Sequence, residues 1–304
     1  MGFLIISDNK KQEVVSSDKI KVVTSFYPLY FFATEITKDR AIVSNVIPTG
    51  AGPHGYEPTA RDITNIENSN LLILNGGDLE GWGENIKMNL KDKDTHIVIA
   101  GEGLMTIENK EESDEGHEEN EEENGDHNYA TDPHVWLSPI LAIKMVGKIE
   151  AGLSLVDPNN SSFYKTNAEV LKNKLSLLDE DFKKGLSSCL SKDIVVSHSA
   201  FTYLAQAYNL NQISIAGLSP EEEPSPKDMI KIVEFAKINN VKYIFFESLA
   251  SPKLSETIAR EIGAKTLVLN PIGGLTIDEI NEKKDYFSEM RNNLTNLKIA
   301  LQCQ

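Results

Sequence analysis

A long amphipathic segment without proline, from Ser161 to about Leu190, sets the architecture that this chain can adopt. Apolar residues recur along it with helical spacing, among them Phe163, Val170, Leu171, Leu175, Leu178, Phe182 and Leu186. At 1.5 Å per residue, a helix of this length spans about 40 Å. One small lobe does not need so long a helix, so we expect it to join two lobes.

Short apolar strands alternate with helical patterns on both sides of this segment. Strands are predicted at 19–25, 41–47, 71–74 and 96–100, and again at 194–197, 212–216, 243–246 and 266–269. Helices are predicted at 28–37, 60–69 and 139–156, and then at 200–208, 226–239, 252–262 and 278–301. This alternation favours parallel sheets. We therefore predict an α/β fold of two parallel-sheet lobes, with an N-terminal lobe over 19–160, a linking helix over 161–190 and a C-terminal lobe over 191–304.

The negative charge of the chain is concentrated in one segment. The 304 residues carry a formal net charge of −16, and eleven acidic residues and one lysine between Glu108 and Asp126 account for −10 of it. This segment has almost no apolar residues, so we expect 108–128 to form a disordered acidic loop in the N-terminal lobe. No basic patch is present, which excludes nucleic acid as a partner.

The cysteines and the N-terminus bear on the cellular compartment. Cys189 and Cys303 are too few for a disulfide framework, and they form either two free thiols or one disulfide in an oxidising compartment. The apolar run Phe3–Ile6 is too short for the core of a signal peptide, so the chain is either cytosolic or carries the stub of a longer signal or anchor. We favour the stub. No apolar run approaches the roughly 20 residues needed to cross a bilayer.

Three histidines lie where a predicted strand or loop gives way to a helix. His54 lies in a loop rich in glycine and proline after the second strand, and His134 lies between Pro133 and Pro139. His198 directly follows the first strand of the second half. Ligands gather at the carboxyl ends of parallel strands, so these side chains can converge between the lobes. Imidazole binds zinc and several other transition metals. Position alone leaves open a metal site or three unrelated histidines.

Three motifs around these histidines resemble the metal-ligand motifs of the zinc and manganese solute-binding proteins of ABC transporters, the ZnuA-like or TroA-like proteins. The motifs are Gly52-Pro-His54-Gly-Tyr-Glu-Pro58, Asp132-Pro-His134-Val-Trp-Leu-Ser-Pro139 and Ser197-His198-Ser-Ala-Phe201, in the family's order. The resemblance continues through the segments 24–28, 75–82, 224–226, 244–247 and 269–271. It covers nearly everything from Lys19 to the C-terminus.

The resemblance implies two α/β lobes bridged by a long rigid helix, with the metal between them and His54, His134 and His198 as ligands. It also implies an extracytoplasmic protein, in the periplasm or at the cell surface, that binds zinc tightly and delivers it to an ABC permease. Such a protein is not an enzyme, and a lost N-terminal anchor would attach it to the membrane. We expect a monomer. In that compartment Cys189 and Cys303 could pair across the C-terminal lobe.

The chain departs from the family at the fourth ligand. Zinc-binding relatives often carry a glutamate in the loop after Leu-Asn-Pro, and others an aspartate nearby, but this loop reads Leu269-Asn-Pro-Ile-Gly273-Gly274. Water or Glu247 then fills the fourth position, and we expect Glu247 to support a ligating histidine rather than to bind the metal. A Gly273→Glu variant is expected to bind zinc more tightly. Three histidines without a matching carboxylate favour zinc over manganese, which prefers oxygen ligands.

Two other functions share these features. Three histidines and an open water position also describe a catalytic zinc, so a zinc metallohydrolase is the enzymatic alternative. The chain has no His-Glu-x-x-His helix and no nucleophile elbow to support that alternative. A metal-dependent surface adhesin is the other alternative, and it would differ from a transport protein only in its partner.

Overall fold

The computed structural model describes residues 19–77, 79–107 and 131–304. The predicted N-terminal stub, Phe3–Ile6, and the predicted acidic loop, 108–128, lie outside these ranges. Within them, no helix combines the length and the apolar composition that crossing a membrane requires.

The first lobe contains a four-stranded sheet in which every neighbouring pair is parallel. Its strands are β1 (Ile20–Thr24), β2 (Ala41–Asn45), β3 (Leu71–Leu74) and β4 (His96–Ile99), in the order β2-β1-β3-β4. Its helices are α1 (Tyr27–Thr37), α2 (Ala60–Glu67) and α3 (Gly83–Asn89). All four residues of the inner strand β3 are buried, as expected for a parallel strand covered on both faces.

Two long helices, α4 (Pro139–Val156) and α5 (Ser161–Gly185), lead from this lobe to the second. The bounds of α4 are the predicted ones. The prediction that α5 continues to Leu190 is wrong, because the helix ends at Gly185, a poor helix former. The N–H of Leu186 turns back to carbonyls of the last turn. The 25 residues of α5 still span about 37 Å, enough to lie along both lobes.

The second lobe repeats the parallel arrangement. Its strands are β5 (Asp193–Val196), β6 (Asn211–Ser214), β7 (Tyr243–Phe246) and β8 (Lys265–Val268), in the order β6-β5-β7-β8. Its helices are α6 (Thr202–Ala207), α7 (Pro226–Ile238), α8 (Lys253–Ile262), α9 (Ile277–Asn281) and α10 (Tyr286–Ala300). The division at 19–160, 161–190 and 191–304 stays a prediction.

The single C-terminal helix predicted over 278–301 is two helices in the structure. The chain breaks between α9 and α10, where Lys283 has a φ of 58°, in the left-handed region. Asp285 then caps α10, since its carboxylate accepts the Ser288 N–H while the Ser288 hydroxyl oxygen accepts the Asp285 N–H. The helical periodicity on both sides concealed this break.

The two lobes share one apolar core, which fixes them against each other. The ring of Phe31 in α1 stacks on the ring of Tyr286 in α10, with their centroids 5.8 Å apart. The Tyr286 hydroxyl donates to the carbonyl of Trp136 at 2.6 Å, and the Trp136 indole donates to the carbonyl of Pro271 at 2.7 Å. The segment after His134 is therefore held by the C-terminal lobe. At the far end of that lobe, Cys189 and Cys303 form a disulfide.

Candidate metal centre

His134 is held by the residues that precede it. Asp132 Oδ1 lies 2.9 Å from Nδ1 of His134 and also accepts the His134 backbone N–H at 2.9 Å. The Asn75 side-chain amide donates to the carbonyl of Pro133 at 3.0 Å, which fixes the loop from the end of β3. The His134 side chain is almost fully buried, so its ring has one orientation, with Nε2 directed between the lobes.

His198 is held in the same way by a neighbouring strand. It follows β5, and Glu247 follows β7, which pairs with β5. Glu247 Oε1 lies 2.5 Å from Nδ1 of His198, and the hydroxyl of Ser197 donates to the same oxygen. Strand pairing thus brings together two residues that are far apart in sequence. Both side chains are buried.

His54 is held by close packing between the lobes. The N–H of Gly50 donates to the carbonyl of Leu275 at 2.9 Å, which joins the His54 loop to the loop after β8. A Cβ atom at position 273 would lie 2.7 Å from Cδ of Pro53, and one at position 274 would lie 2.5 Å from the carbonyl oxygen of Ala51. Only glycine allows the two loops to approach this closely.

The three imidazoles meet at one point. Nε2 of His134 lies 3.2 Å from Nε2 of His54 and 3.3 Å from Nε2 of His198. One ligand nitrogen from each ring lies within 4.8 Å of the others. Nitrogens bound at about 2.05 Å to a tetrahedral zinc ion would be about 3.4 Å apart. The distances from His134 to the other two rings therefore match the spacing of nitrogens around a zinc ion.

The hydrogen bonds at the Nδ1 atoms of His134 and His198 determine whether the Nε2 atoms of the same rings can bind a metal. Nδ1 of His134 faces Asp132 and Nδ1 of His198 faces Glu247, and a carboxylate can only accept, so a neutral ring at either position carries its proton on Nδ1. Their Nε2 atoms are then unprotonated, and two lone pairs face each other at 3.3 Å. Two acceptors cannot form a hydrogen bond with each other. A cation between them removes this repulsion, so the arrangement is suited to a metal.

Burial favours the neutral forms of His54 and His134. It lowers the pKa of His54 to about 3, with smaller contributions from the charges that His134 and His198 would carry. Burial also lowers the pKa of His134, although the Asp132 carboxylate opposes that effect. Metal ligation needs the unprotonated nitrogen, so both residues are ready to bind a metal at neutral pH and below it.

The three rings line a cleft of about 340 Å³ between the lobes. Two carboxylates also lie on its described lining, those of Glu247 and Glu221. Glu247 faces Nδ1 of His198 rather than the meeting point of the three Nε2 atoms. Sequence reasoning placed Glu247 in this neighbourhood but did not single out Asp132 or Glu221. The signal for Asp132 was its place two residues before His134, within the same motif.

The chain matches the sequence profile of the family described as "Zinc-uptake complex component A periplasmic", ZnuA, over residues 22–300. It is 40% identical over 295 residues to the high-affinity zinc uptake system protein ZnuA of Bacillus subtilis, a match that covers 97% of this chain and 92% of that protein. It is 36% identical over 296 residues to the zinc-binding lipoprotein AdcA of Streptococcus pneumoniae, covering 97% of this chain. The chain spans just over half of AdcA, 58% of its length.

Among solved structures, the chain resembles the Zn(II)-bound ZnuA-like domain of Streptococcus pneumoniae AdcA. The two share 35% sequence identity and superpose with a TM-score of 0.78, over 93% of this chain and 99% of that domain. This likeness and the two parallel sheets confirm the predicted fold class.

Proposed function

The chain belongs to the ZnuA family of zinc-uptake binding proteins, and from that membership we propose that it carries zinc to the permease of an ABC transporter. The three histidines His54, His134 and His198 bind the ion, which is cargo. Like its relatives, the chain is a binding protein and not an enzyme, so the metallohydrolase alternative is set aside. Membership in a zinc-uptake family also favours transport over the adhesin alternative.

One observation carries the proposal more than any other. The Nε2 atoms of His134 and His198 lie 3.3 Å apart in two buried rings, and the Asp132 and Glu247 carboxylates contact the Nδ1 atoms on the opposite side, so the Nε2 atoms of the neutral rings face each other as lone pairs. Burial of two facing lone pairs is unfavourable unless a cation lies between them. A carboxylate behind each ligating histidine is also the usual support for zinc-bound imidazole.

The set of donors favours zinc over manganese. The three converging atoms are imidazole nitrogens, and the described residues place no carboxylate oxygen within the same cluster. Zinc accepts nitrogen ligands in a tetrahedral site, whereas manganese prefers oxygen. Competition titration of the metal-stripped protein should show zinc displacing manganese at equal concentration. Equal or tighter binding of manganese would contradict this choice of cargo.

Delivery to a permease places the protein outside the cytoplasm. The AdcA relative is a lipoprotein, which supports an N-terminal membrane anchor for this protein as well. We expect it to act as a monomer, with one zinc ion per chain.

Complementation tests delivery. Bacillus subtilis cells that lack their own ZnuA should recover zinc accumulation when they express this chain behind the ZnuA leader, and the His134→Ala chain should not restore it. Secretion of each chain is checked by immunoblot. Equal recovery with both chains would contradict delivery through this site.

A further inference from the structure

Three neutral imidazoles bring no negative charge into direct contact with a zinc dication, because the Asp132 and Glu247 carboxylates lie behind the rings of His134 and His198. A carboxylate beside the ion would lower the free energy of the loaded state, since charges interact strongly where water is excluded. Among the described residues, Glu247 and Glu221 are the two carboxylates that line the cleft. One oxygen of Glu247, Oε1, already contacts both Nδ1 of His198 and the hydroxyl of Ser197, which directs this carboxylate to the far side of the His198 ring.

The loop after β8 cannot supply the missing charge. Residues 269–275 of this loop contain no carboxylate, and Gly273 lines the cleft. The close approach of Gly273 to Pro53 leaves no room for a Cβ atom unless the His54 loop moves. A carboxylate ligand would therefore have to come from elsewhere on the cleft wall.

Glu221 lies on a loop whose start is fixed beside the metal centre. The N–H of Ser199, next to His198, donates to the carbonyl of Gly217 at 2.7 Å. The carboxylate of Glu222 folds back over Gly217 and accepts the N–H of Ser219 at 3.1 Å. These contacts hold the base of the loop, between β6 and α7, close to His198.

The side chain of Glu221 is not held as firmly. It is exposed, and its carboxylate accepts a hydrogen bond from the hydroxyl of Ser219, two residues earlier. When this bond breaks, both groups can form hydrogen bonds with water instead, so the free-energy cost of breaking it is small. A rotation of the Glu221 side chain, with a small shift of the loop tip, would bring the carboxylate toward the ion.

We propose that Glu221 is the fourth zinc ligand of this chain and that it exchanges the Ser219 hydroxyl for the metal when zinc enters the cleft. The inference rests on the proposed zinc-binding function and adds one residue to it. Glu221 then neutralises half of the ion's charge and closes the open side of the site. It takes the role that a side chain at position 273 cannot fill here.

The test compares two exposed glutamates of the same loop. Glu221→Gln removes the charge and weakens the ligand, while the matched control Glu223→Gln removes the same charge from a residue that does not line the cleft. Zinc affinity is measured by competition with a chromophoric chelator, at about 0.05 M and about 0.5 M salt. Cobalt(II) in place of zinc reports the ligand set through its visible absorption.

We expect Glu221→Gln to raise the zinc Kd more than about tenfold, the low end of the effect of losing even an outer-shell partner. This loss should persist at high salt, and the cobalt spectrum should change. Glu223→Gln should stay within about twofold of wild type, because an exposed charge outside the cleft is screened.

Two results would overturn the inference. One is unchanged affinity and an unchanged cobalt spectrum in Glu221→Gln. The other is an equal loss of zinc affinity in both variants that disappears at high salt, which would mean that the loop attracts cations by long-range electrostatics and does not ligate the ion. In either case wild-type protein that binds zinc, and loses it on His134→Ala, leaves the proposed function standing. Wild-type protein that binds no zinc would instead contradict the proposed function itself.

Discussion

Asp132 Oδ1 lies 2.9 Å from Nδ1 of His134, which fixes the proton of that ring on the side away from His54 and His198. In the Asp132→Asn variant, the side-chain NH2 group can donate to Nδ1 of His134. The ring then carries its proton on Nε2, the nitrogen that would bind the metal. We expect this variant to bind zinc about 10–100-fold more weakly, as for other outer-shell partners. Its fold should survive, so far-ultraviolet circular dichroism should match wild type. Unchanged zinc affinity would show that Asp132 does not control the ring.

Glu247 and His198 form the corresponding pair in the second lobe, and the contact supports the expectation that Glu247 stands behind the ligand. Glu247→Gln should therefore weaken zinc binding about 10–100-fold, less than the loss from removing a ligand as in His198→Ala. Chelator competition on both variants gives the comparison. If Glu247→Gln lost as much affinity as His198→Ala, Glu247 would be a direct ligand.

The close packing of the interlobe loops argues against tighter zinc binding by Gly273→Glu and leads to a different prediction. A side chain there meets Pro53, directly before His54, so Gly273→Glu cannot simply restore the relatives' carboxylate. Even Gly273→Ala should lower the free energy of unfolding by about 1–3 kcal/mol, as overpacking does, and weaken zinc binding. The matched control is Gly81→Ala, where an added Cβ atom meets nothing within 4 Å. Thermal unfolding of both variants, with and without zinc, measures the difference. Equal stability of the two variants would show that the loops part easily.

Sequence periodicity predicts the strands and most helices of this fold because each pattern is local. The strands at 71–74 and 243–246 and the helix at 139–156 have the predicted bounds. The break at Lys283 is not predictable in this way, since its positive φ leaves the helical pattern on both sides intact.

The residues of the metal site also differ in whether the local sequence predicts them. The motifs single out His54, His134 and His198 in sequence, and the structure brings these three rings together. The residues that orient these rings or line the cleft beside them are brought there by contacts between distant segments. Glu247 meets His198 only because β5 and β7 pair, and Glu221 reaches the cleft only because its loop starts beside Ser199.

The low pKa of His54, about 3, makes the metal-free protein sensitive to acid. An imidazole with a pKa of about 6.5 in the unfolded chain binds a proton there first, so the unfolded state gains stability as pH falls below 6.5. His54 alone should remove about 2 kcal/mol of folding stability between pH 7 and pH 5. The loss should be complete only near pH 3. Chemical denaturation of wild type and His54→Gln at both pH values checks this, and the variant should show the smaller loss. The same loss in both proteins would mean that His54 does not titrate as the structure indicates.

The most direct test of the zinc site is a calorimetric zinc titration of chelator-stripped protein. Wild type should bind one zinc ion per chain tightly, His134→Ala should weaken that binding by orders of magnitude, and the triple variant with alanine at positions 54, 134 and 198 should show no tight site. The ligands are three imidazole nitrogens that meet at one point, two of them on buried rings, so removing all three removes the tight site. Full-strength binding of one zinc ion by the triple variant would contradict the assignment of these histidines.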